Sequence, residues 1–277
     1  MLQKILFPVD FSASCIAMAA YVERAATIFG ASVTIVHACD LASHNGFELY
    51  ARRADEIAED HWDLARNKLE LFLTSAFPGG ASQRLLLAGD AASAISSAAK
   101  KGKFDLIMMP THAGRFRRML LGSTTARVLN EADCPVLTMQ HGEGPPRSAE
   151  HRRWVCAIGL SPDSERVLDY AKRVSSAAGA EFSVIHAVHS GNGRSGTEML
   201  GEEEMARHRI AELQDRAARE AAVRIVTAPV KEALLNEVRN ASADVLVIGR
   251  SLRGASGHLD DLTYSLVRDS PCPVVSV

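Results

Sequence analysis

The sequence has no excess of charge of one sign: its 277 residues include 31 Lys and Arg against 33 Asp and Glu. The resulting net charge of −2 excludes the basic excess that is typical of non-specific nucleic-acid binding, so we expect no nucleic-acid partner. No apolar run approaches the roughly 20 residues needed to span a bilayer, so we expect no membrane partner either. The apolar stretch before Asp10 is too short for a secretion signal.

Cysteine and catalytic signatures are also scarce. The five cysteines are an odd number without C-x-x-C spacing, which argues against a disulfide framework and against a structural zinc site. We therefore predict a protein of a reducing cytoplasm. The sequence has no G-x-x-x-x-G-K-[ST] loop, no G-x-S-x-G elbow and no H-E-x-x-H helix, so no catalytic centre is evident and we expect the protein not to be an enzyme.

An internal repeat organises the chain. GASVTIVHA at 30–38 matches GAEFSVIHA at 179–187, and the same spacing of 149 positions aligns Ser12 with Ser161. A repeat this long indicates two duplicated domains rather than a solenoid of short units. The polar segment HGEGPPRSAEHRR reads as the linker. The predicted boundaries are domain one at 1–141, a linker at 142–153 and domain two at 154–277.

Apolar runs alternate with helical stretches in each copy. Runs that are apolar on both faces predict strands of a parallel sheet covered by helices. The predicted helices begin near Ser12, Glu48, Ser93 and Ser123, the first of them ending before Gly30. The β-α alternation predicts an α/β fold with two tandem doubly wound domains. The predicted strands of copy one are Lys4–Val9, Val33–Ala38, Arg84–Leu87, Leu106–Met109 and Val136–Met139.

Three segments of copy one follow predicted strands or open its last helix. In doubly wound sheets, ligands bind beyond the carboxyl ends of the strands. A helix N-terminus favours an anion. An aspartate at a strand end can accept from a ribose hydroxyl or an adenine amino group, so this set suits a nucleotide. The segments are Pro8-Val9-Asp10, the run from Met109 through Thr111, His112, Gly114 and Arg115, and Gly122-Ser123-Thr124-Thr125.

Each element also has a simpler interpretation. Gly-Ser-Thr ahead of a helix can be a cap alone, Asp10 can help start a helix, and His112 can be an exposed loop residue. His37 and His186 hold equivalent positions at strand ends, where a functional pair and hydrogen-bonded structural histidines are both open.

Taken in order, these motifs resemble the universal stress protein family in its tandem two-domain form. The resemblance rests on ILFPVDFS, FDLIMMPTHAG, LLGSTTARVL and CPVLT in copy one, and on IGLS, VLVIGRS and SPCPVVSV in copy two. It implies five-stranded parallel sheets of the adenine nucleotide alpha hydrolase-like fold. It also implies that the last strands, 135–139 and 273–277, pair in an intramolecular pseudo-dimer, with a further homodimer open.

Part of that family binds ATP, and the resemblance implies ATP with Mg²⁺ as the ligand of copy one. Asp10 would contact the adenosine, Pro8 and Val9 would line the base pocket, and Gly122 and Ser123 would hold phosphates with Thr124 and Thr125. The glycine motif departs from the family pattern, because Pro110 and Ala113 fall where glycines are expected.

Copy two departs further from the ATP-binding pattern. Gly159 replaces Asp10, and Asp260 and Asp261 replace Gly122 and Ser123. Two carboxylates there would repel a triphosphate. They form either a metal site or acidic residues favoured at a helix N-terminus. We therefore expect a degenerate site in copy two, with a structural or partner-binding role.

The sequence leaves two main hypotheses for function. The first is a stress-response regulatory protein that binds ATP in the N-terminal domain without efficient catalysis. The alternative is a nucleotide-independent interaction module that acts through protein partners. An enzyme of the related hydrolase or ligase group ranks last, because no catalytic set is visible.

Overall fold

The computed structural model describes residues 2–40, 51–78, 82–111, 121–140, 150–188, 196–215, 221–250, 252–253 and 258–277. The chain divides into two compact units, residues 2–136 and residues 137–277. The predicted domain and linker boundaries remain predictions, since residues 141–149 lie outside the described ranges.

The first unit alternates strands and helices along the chain. Its strands run side by side in the order β3-β2-β1-β4, and every pairing between them is parallel. The backbone N–H of Ile107 donates to Pro135 O, just ahead of β5. The elements are β1 (Lys4–Pro8), α1 (Ala13–Phe29), β2 (Ser32–Cys39), α2 (Ala51–Leu71), β3 (Ser82–Ala88), α3 (Ala91–Gly102), β4 (Leu106–Pro110) and α4 (Ser123–Glu131). The next strand, β5 (Val136–Met139), begins at the last residue of this unit.

The central strands form because their side chains are apolar on both faces. Ile5, Leu6 and Phe7 of β1 are fully buried, as is Ile107 of β4. Each such side chain stabilises the folded state by about 1.5–3 kcal/mol relative to exposure. This burial fixes β1 and β4 as neighbours at the centre of the unit.

Helix termini follow the polar residues that precede them. Ser12 caps α1 through its side chain, and Gly30 ends the helix with φ of 63°, as the sequence predicts. The prediction that Ser93 starts the third helix is wrong, because α3 begins at Ala91. Its cap is Asp90, whose carboxylate accepts from the Ser93 N–H. The Ser93 hydroxyl instead contacts Glu131 of α4.

The second unit repeats the pattern. Its strands have the order β12-β9-β6-β7-β8, again with parallel pairings. Two strands of two residues each, β10 and β11, pair antiparallel, and the sequence did not predict them. The elements are β6 (Arg153–Ala157), α5 (Ser164–Ala177), β7 (Glu181–Val188), α6 (Gly196–Asp215), β8 (Ala222–Thr227), α7 (Val230–Asn240), β9 (Val245–Ile248), β10 (Leu252–Arg253), β11 (His258–Leu259), α8 (Asp261–Asp269) and β12 (Val274–Ser276).

Both units are therefore doubly wound. In the first unit the chain goes from β1 to β2 on one side and returns to β4 on the other. The point between β1 and β4 is the place where strand order reverses, and it is where ligands bind in such sheets. The predicted α/β fold with two tandem parallel-sheet domains is confirmed.

Candidate functional site

The switch point of the first unit gathers two of the predicted segments. Val9 and Asp10 follow β1, and Thr111 follows β4, its parallel neighbour. The Val9 N–H donates to Val36 O of β2 over 2.8 Å, which extends the sheet by one residue beyond β1. Asp10 is therefore the first exposed residue at this edge.

The carboxylate of Asp10 is held in place by the start of α1. Its Oδ1 accepts from the Ser12 N–H over 2.9 Å and from the Cys15 thiol over 3.2 Å. Burial, reinforced by the Asp10 charge, raises the pKa of Cys15 to about 12, so the thiol keeps its proton and donates. Oδ2 has no hydrogen-bond partner among the described residues, so a fixed carboxylate presents one oxygen to a ligand.

The residue after Asp10 has an unusual backbone. Phe11 lies in the left-handed region at φ of 63°, and Leu160 lies at 57° at the same point of the second unit. Such a conformation costs a bulky residue about 1–3 kcal/mol, and it is concentrated at functional sites. Sequence reasoning missed this feature, because Phe and Leu carry no signal for a positive φ.

The paired histidines support these loops. His37 Nδ1 lies 2.8 Å from Val9 O, and His186 Nδ1 lies 2.8 Å from Ile158 O. A carbonyl oxygen accepts, so each Nδ1 donates. The His37 ring also packs 4.3 Å from the Phe11 ring, measured between centroids. The structure thus gives the pair a structural role in holding the strand ends.

The beginning of α4 is tied to the end of β4. The Gly122 N–H donates to Thr111 O over 2.8 Å, and the Thr125 hydroxyl donates to Pro110 O over 3.0 Å. Gly122 stands at the N-cap and gives the helix no side-chain cap bond. Among the described residues, the Ser123 and Thr124 N–H groups of the first turn have no acceptor, which leaves them open to an outside one.

Thr111 adds a second polar group without a partner. Its side chain is 2% exposed, and its hydroxyl makes no hydrogen bond within the described part of the chain. Leaving a buried hydroxyl unsatisfied costs about 1–3 kcal/mol. A ligand at this edge would remove that cost.

The structure places the remaining predicted residues unevenly. Pro8, Val9 and Met109 are buried in the two neighbouring strands or just beyond them, and Ser123 is exposed at the start of α4. His112, Gly114 and Arg115 lie outside the described residues, as does Ala113.

The second unit has the same loop with different chemistry. Gly159 stands where Asp10 stands, and Ser164 stands where Cys15 stands. Asp260 holds the N-cap position that Gly122 holds in the first unit. Its Oδ1 accepts from the Thr263 N–H over 2.6 Å, so this helix start is closed by the chain itself.

Of the two interpretations of Asp260 and Asp261, the capping one describes what Asp260 does. Asp261 lies in the first turn of α8, where the helix dipole favours a carboxylate. Within the described ranges, no group of three His, Cys, Asp or Glu side chains is placed to hold a metal ion.

This geometry defines a class: a doubly wound α/β protein with a polar edge at the β1–β4 switch point, the place where sheets of this kind bind ligands. The sequence model of the universal stress protein family matches residues 1–140 and again residues 150–277. The chain therefore belongs to the universal stress protein family, with two family domains in tandem. The family prediction made from the motifs is confirmed.

Relatives agree with this assignment. A Thermus aquaticus protein described as the universal stress protein in the QAH/OAS sulfhydrylase 3′ region is 33% identical over 145 residues, which is 50% of this chain and 100% of the relative. A universal stress protein structure from Archaeoglobus fulgidus DSM 4304 matches with a TM-score of 0.67 at 24% identity, covering 99% of this chain and 97% of that chain.

A structure from Pseudomonas aeruginosa UCBPP-PA14 matches with a TM-score of 0.65 at 13% identity, over 100% of this chain and 93% of that one. At these identities the two structural likenesses support the fold.

No helix in the described ranges combines the length and the apolar character needed to cross a membrane.

Proposed function

We propose that the protein is a cytoplasmic stress-response regulator that binds ATP, with Mg²⁺, in its first unit and does not hydrolyse it efficiently. The observation that carries the proposal is the uncapped start of α4 at Gly122, tied to the strand that neighbours Asp10. This combination offers an acceptor for the nucleoside and a positive helix end for the phosphates at one sheet edge.

Asp10 is the proposed contact to the adenosine. Because Ser12 and Cys15 fix Oδ1, the carboxylate is already oriented before a ligand arrives. Oδ2 then accepts from a ribose hydroxyl or from the adenine amino group. Preorganisation of this kind lowers the entropy cost of binding.

The phosphates are proposed to lie at the first turn of α4. Partial positive charge at a helix N-terminus attracts an anion, and the Ser123 and Thr124 N–H groups donate to it. The Gly122 N–H already donates to Thr111 O, so it is not a donor to the phosphates. The glycine instead lets a phosphate come close to the backbone, because it has no side chain. The Thr111 hydroxyl, just beyond β4, is the proposed further donor.

The residues of the proposed site favour ATP binding without efficient hydrolysis. No lysine of a G-x-x-x-x-G-K-[ST] loop reaches the phosphates. His37 is committed through Nδ1 to Val9 O. The lysine that stabilises the charge of phosphoryl transfer in P-loop NTPases is therefore missing, and the described bond of His37 is a structural one; both favour binding over efficient hydrolysis.

Calorimetric titration of the full chain with Mg-ATP tests this assignment. We expect one ATP per chain with a micromolar dissociation constant, about −8 kcal/mol. Asp10→Asn should weaken binding by about tenfold, because it removes one charge-assisted hydrogen bond of about 1.5 kcal/mol. Asp163→Asn, an exposed aspartate of the second unit without a side-chain cap bond, is the matched control and should bind as the wild type does.

Three results would contradict the proposal. No heat at millimolar ATP would favour the interaction module that needs no nucleotide. Two ATP per chain would show that the second unit binds as well. Equal affinities for the Asp10 and Asp163 variants would remove Asp10 from the site.

A further inference from the structure

The loop at the start of the second unit keeps its donors but lacks their acceptor. In the first unit, the Ser12 N–H and the Cys15 thiol both donate to Asp10 Oδ1. Their counterparts in the second unit are Ser161 and Ser164. With Gly159 in the aspartate's place, neither counterpart has a carboxylate to which it can donate.

Ser164 shows the consequence directly. Its side chain is 3% exposed, and its hydroxyl has no hydrogen-bond partner among the described residues. A buried hydroxyl in this state raises the energy of the folded protein unless a bound group satisfies it. The turn before it keeps one feature of the first unit's loop, since Leu160 has a left-handed φ like that of Phe11. The helices start differently, at Ala13 for α1 and at Ser164 for α5.

A cavity of about 340 Å³ lies beside this serine. Ser164 and Gly159 both line it, and its wall includes the apolar side chains of Val167, Ile248 and Leu266. A Cβ built on Gly159 would meet no atom within 4 Å, so the place of the missing carboxylate is open space. The volume lies at the lower end of the range of small-molecule sites, about 300–1,000 Å³.

We propose that this cavity binds a small apolar molecule through one acceptor oxygen, of a carboxylate or a carboxamide, which takes the place of the Asp10 carboxylate. The oxygen accepts from the Ser164 hydroxyl and the Ser161 N–H, and the apolar body packs on Val167, Ile248 and Leu266. The site is separate from the ATP site proposed for the first unit, and its test does not depend on that proposal.

The charges around the cavity disfavour a nucleoside polyphosphate, because among the described residues two carboxylates line it against the single guanidinium of Arg250. Asp260 lines the cavity and already accepts from the first turn of α8, where a phosphate would otherwise bind. Asp163 also lines the cavity, so a polyanion would meet two carboxylates. A ligand with at most one negative charge meets less of this repulsion than a polyanion does.

The test uses the full chain labelled with ¹⁵N and two probes of one shape, isobutyrate and isobutyramide. We expect saturable shifts of the Ser161 and Ser164 amide signals with a millimolar dissociation constant for at least one probe. Binding of isobutyrate alone identifies a carboxylate ligand, binding of isobutyramide alone identifies a carboxamide, and binding of both identifies the shared acceptor oxygen. All three support the proposal.

Gly159→Asp supplies the missing carboxylate from the chain itself and should weaken probe binding by about tenfold or more. The backbone accommodates it, because Gly159 has no positive φ and open space lies before it. Gly201→Asp makes the same change on the exposed surface of α6 and should leave the affinity unchanged. Ser164→Ala, which removes the donor without adding charge, should also weaken binding.

Several outcomes would overturn the proposal. The proposal fails if neither probe shifts the Ser161 and Ser164 signals. It also fails if the shifts are confined to Ser12 and Cys15 of the first unit. Equal affinity in the Gly159→Asp and Gly201→Asp variants would show that the probes bind elsewhere. Unchanged affinity in Ser164→Ala would remove the hydroxyl from the site.

Discussion

Replacing Asp260 with alanine should destabilise the second unit by about 1 kcal/mol, within the range of about 0.5–2 kcal/mol found for lost N-caps. The Asp260 carboxylate accepts from the Thr263 N–H over 2.6 Å, a short bond in which the acceptor is charged. Alanine cannot accept, so the first turn of α8 loses its cap. Its amides then depend on water, which reaches them only in part because Thr263 is 3% exposed.

The assay is urea unfolding followed by the fluorescence of Trp154, which is buried in β6 of the second unit. A Trp62→Phe background removes the other tryptophan of the chain. With a urea m-value of about 2–3 kcal/mol per molar, the expected loss lowers the midpoint by about 0.3–0.5 M.

Asp163→Ala is the matched control for this prediction. Asp163 also precedes a helix of the second unit, but it is exposed and makes no side-chain cap bond. Its replacement should change stability by less than about 0.5 kcal/mol. Equal midpoints for the two variants would refute the claim that the Asp260 carboxylate closes the start of α8.

Two further predictions concern ionisation. A hydrogen bond from Arg268 holds the pKa of Asp269 at about 2, below its usual 3.8, so the stabilisation is present above about pH 4 and is lost as the pH falls toward 2. In the Asp269→Asn variant, the urea midpoint should therefore depend less on pH between about pH 4 and pH 2. A pH dependence equal to that of the wild type would contradict this. Burial raises the pKa of Cys15 and of Cys156 to about 12. In the folded protein at pH 8, both thiols should therefore resist iodoacetamide, while half-buried Cys39 is modified. Peptide mass spectrometry measures the modification of each cysteine. Equal labelling of all three would show that the two thiols are not protected.

Much of the fold could be predicted because burial leaves a plain trace in the sequence. The run Lys4–Val9 is apolar on both faces, and the strand is Lys4–Pro8. The start of α3 was harder to predict, because Asp90 and Ser93 are both good caps three residues apart. Arg127 of α4 adds a contact to Asp90, its Nη1 lying 2.7 Å from Asp90 Oδ2, and local sequence patterns do not show such a contact.

The candidate site could be predicted in outline but not in its energetics. The strand-end position of Asp10 followed from the repeat and the resemblance. The role of Cys15 did not, because a thiol five residues along becomes a donor to Asp10 only once α1 has formed. The unsatisfied hydroxyls of Thr111 and Ser164 likewise depend on burial by distant segments, which no spacing rule records.

The shared left-handed residue of the two loops bears on how a duplicated gene acquires new properties. Phe11 and Leu160 have nearly the same φ, although one follows an aspartate and the other a glycine. The left-handed φ therefore does not depend on the carboxylate. Under the two proposals above, a change of this one residue exchanges one recognition chemistry for another, so each half can specialise while the turn keeps its left-handed residue.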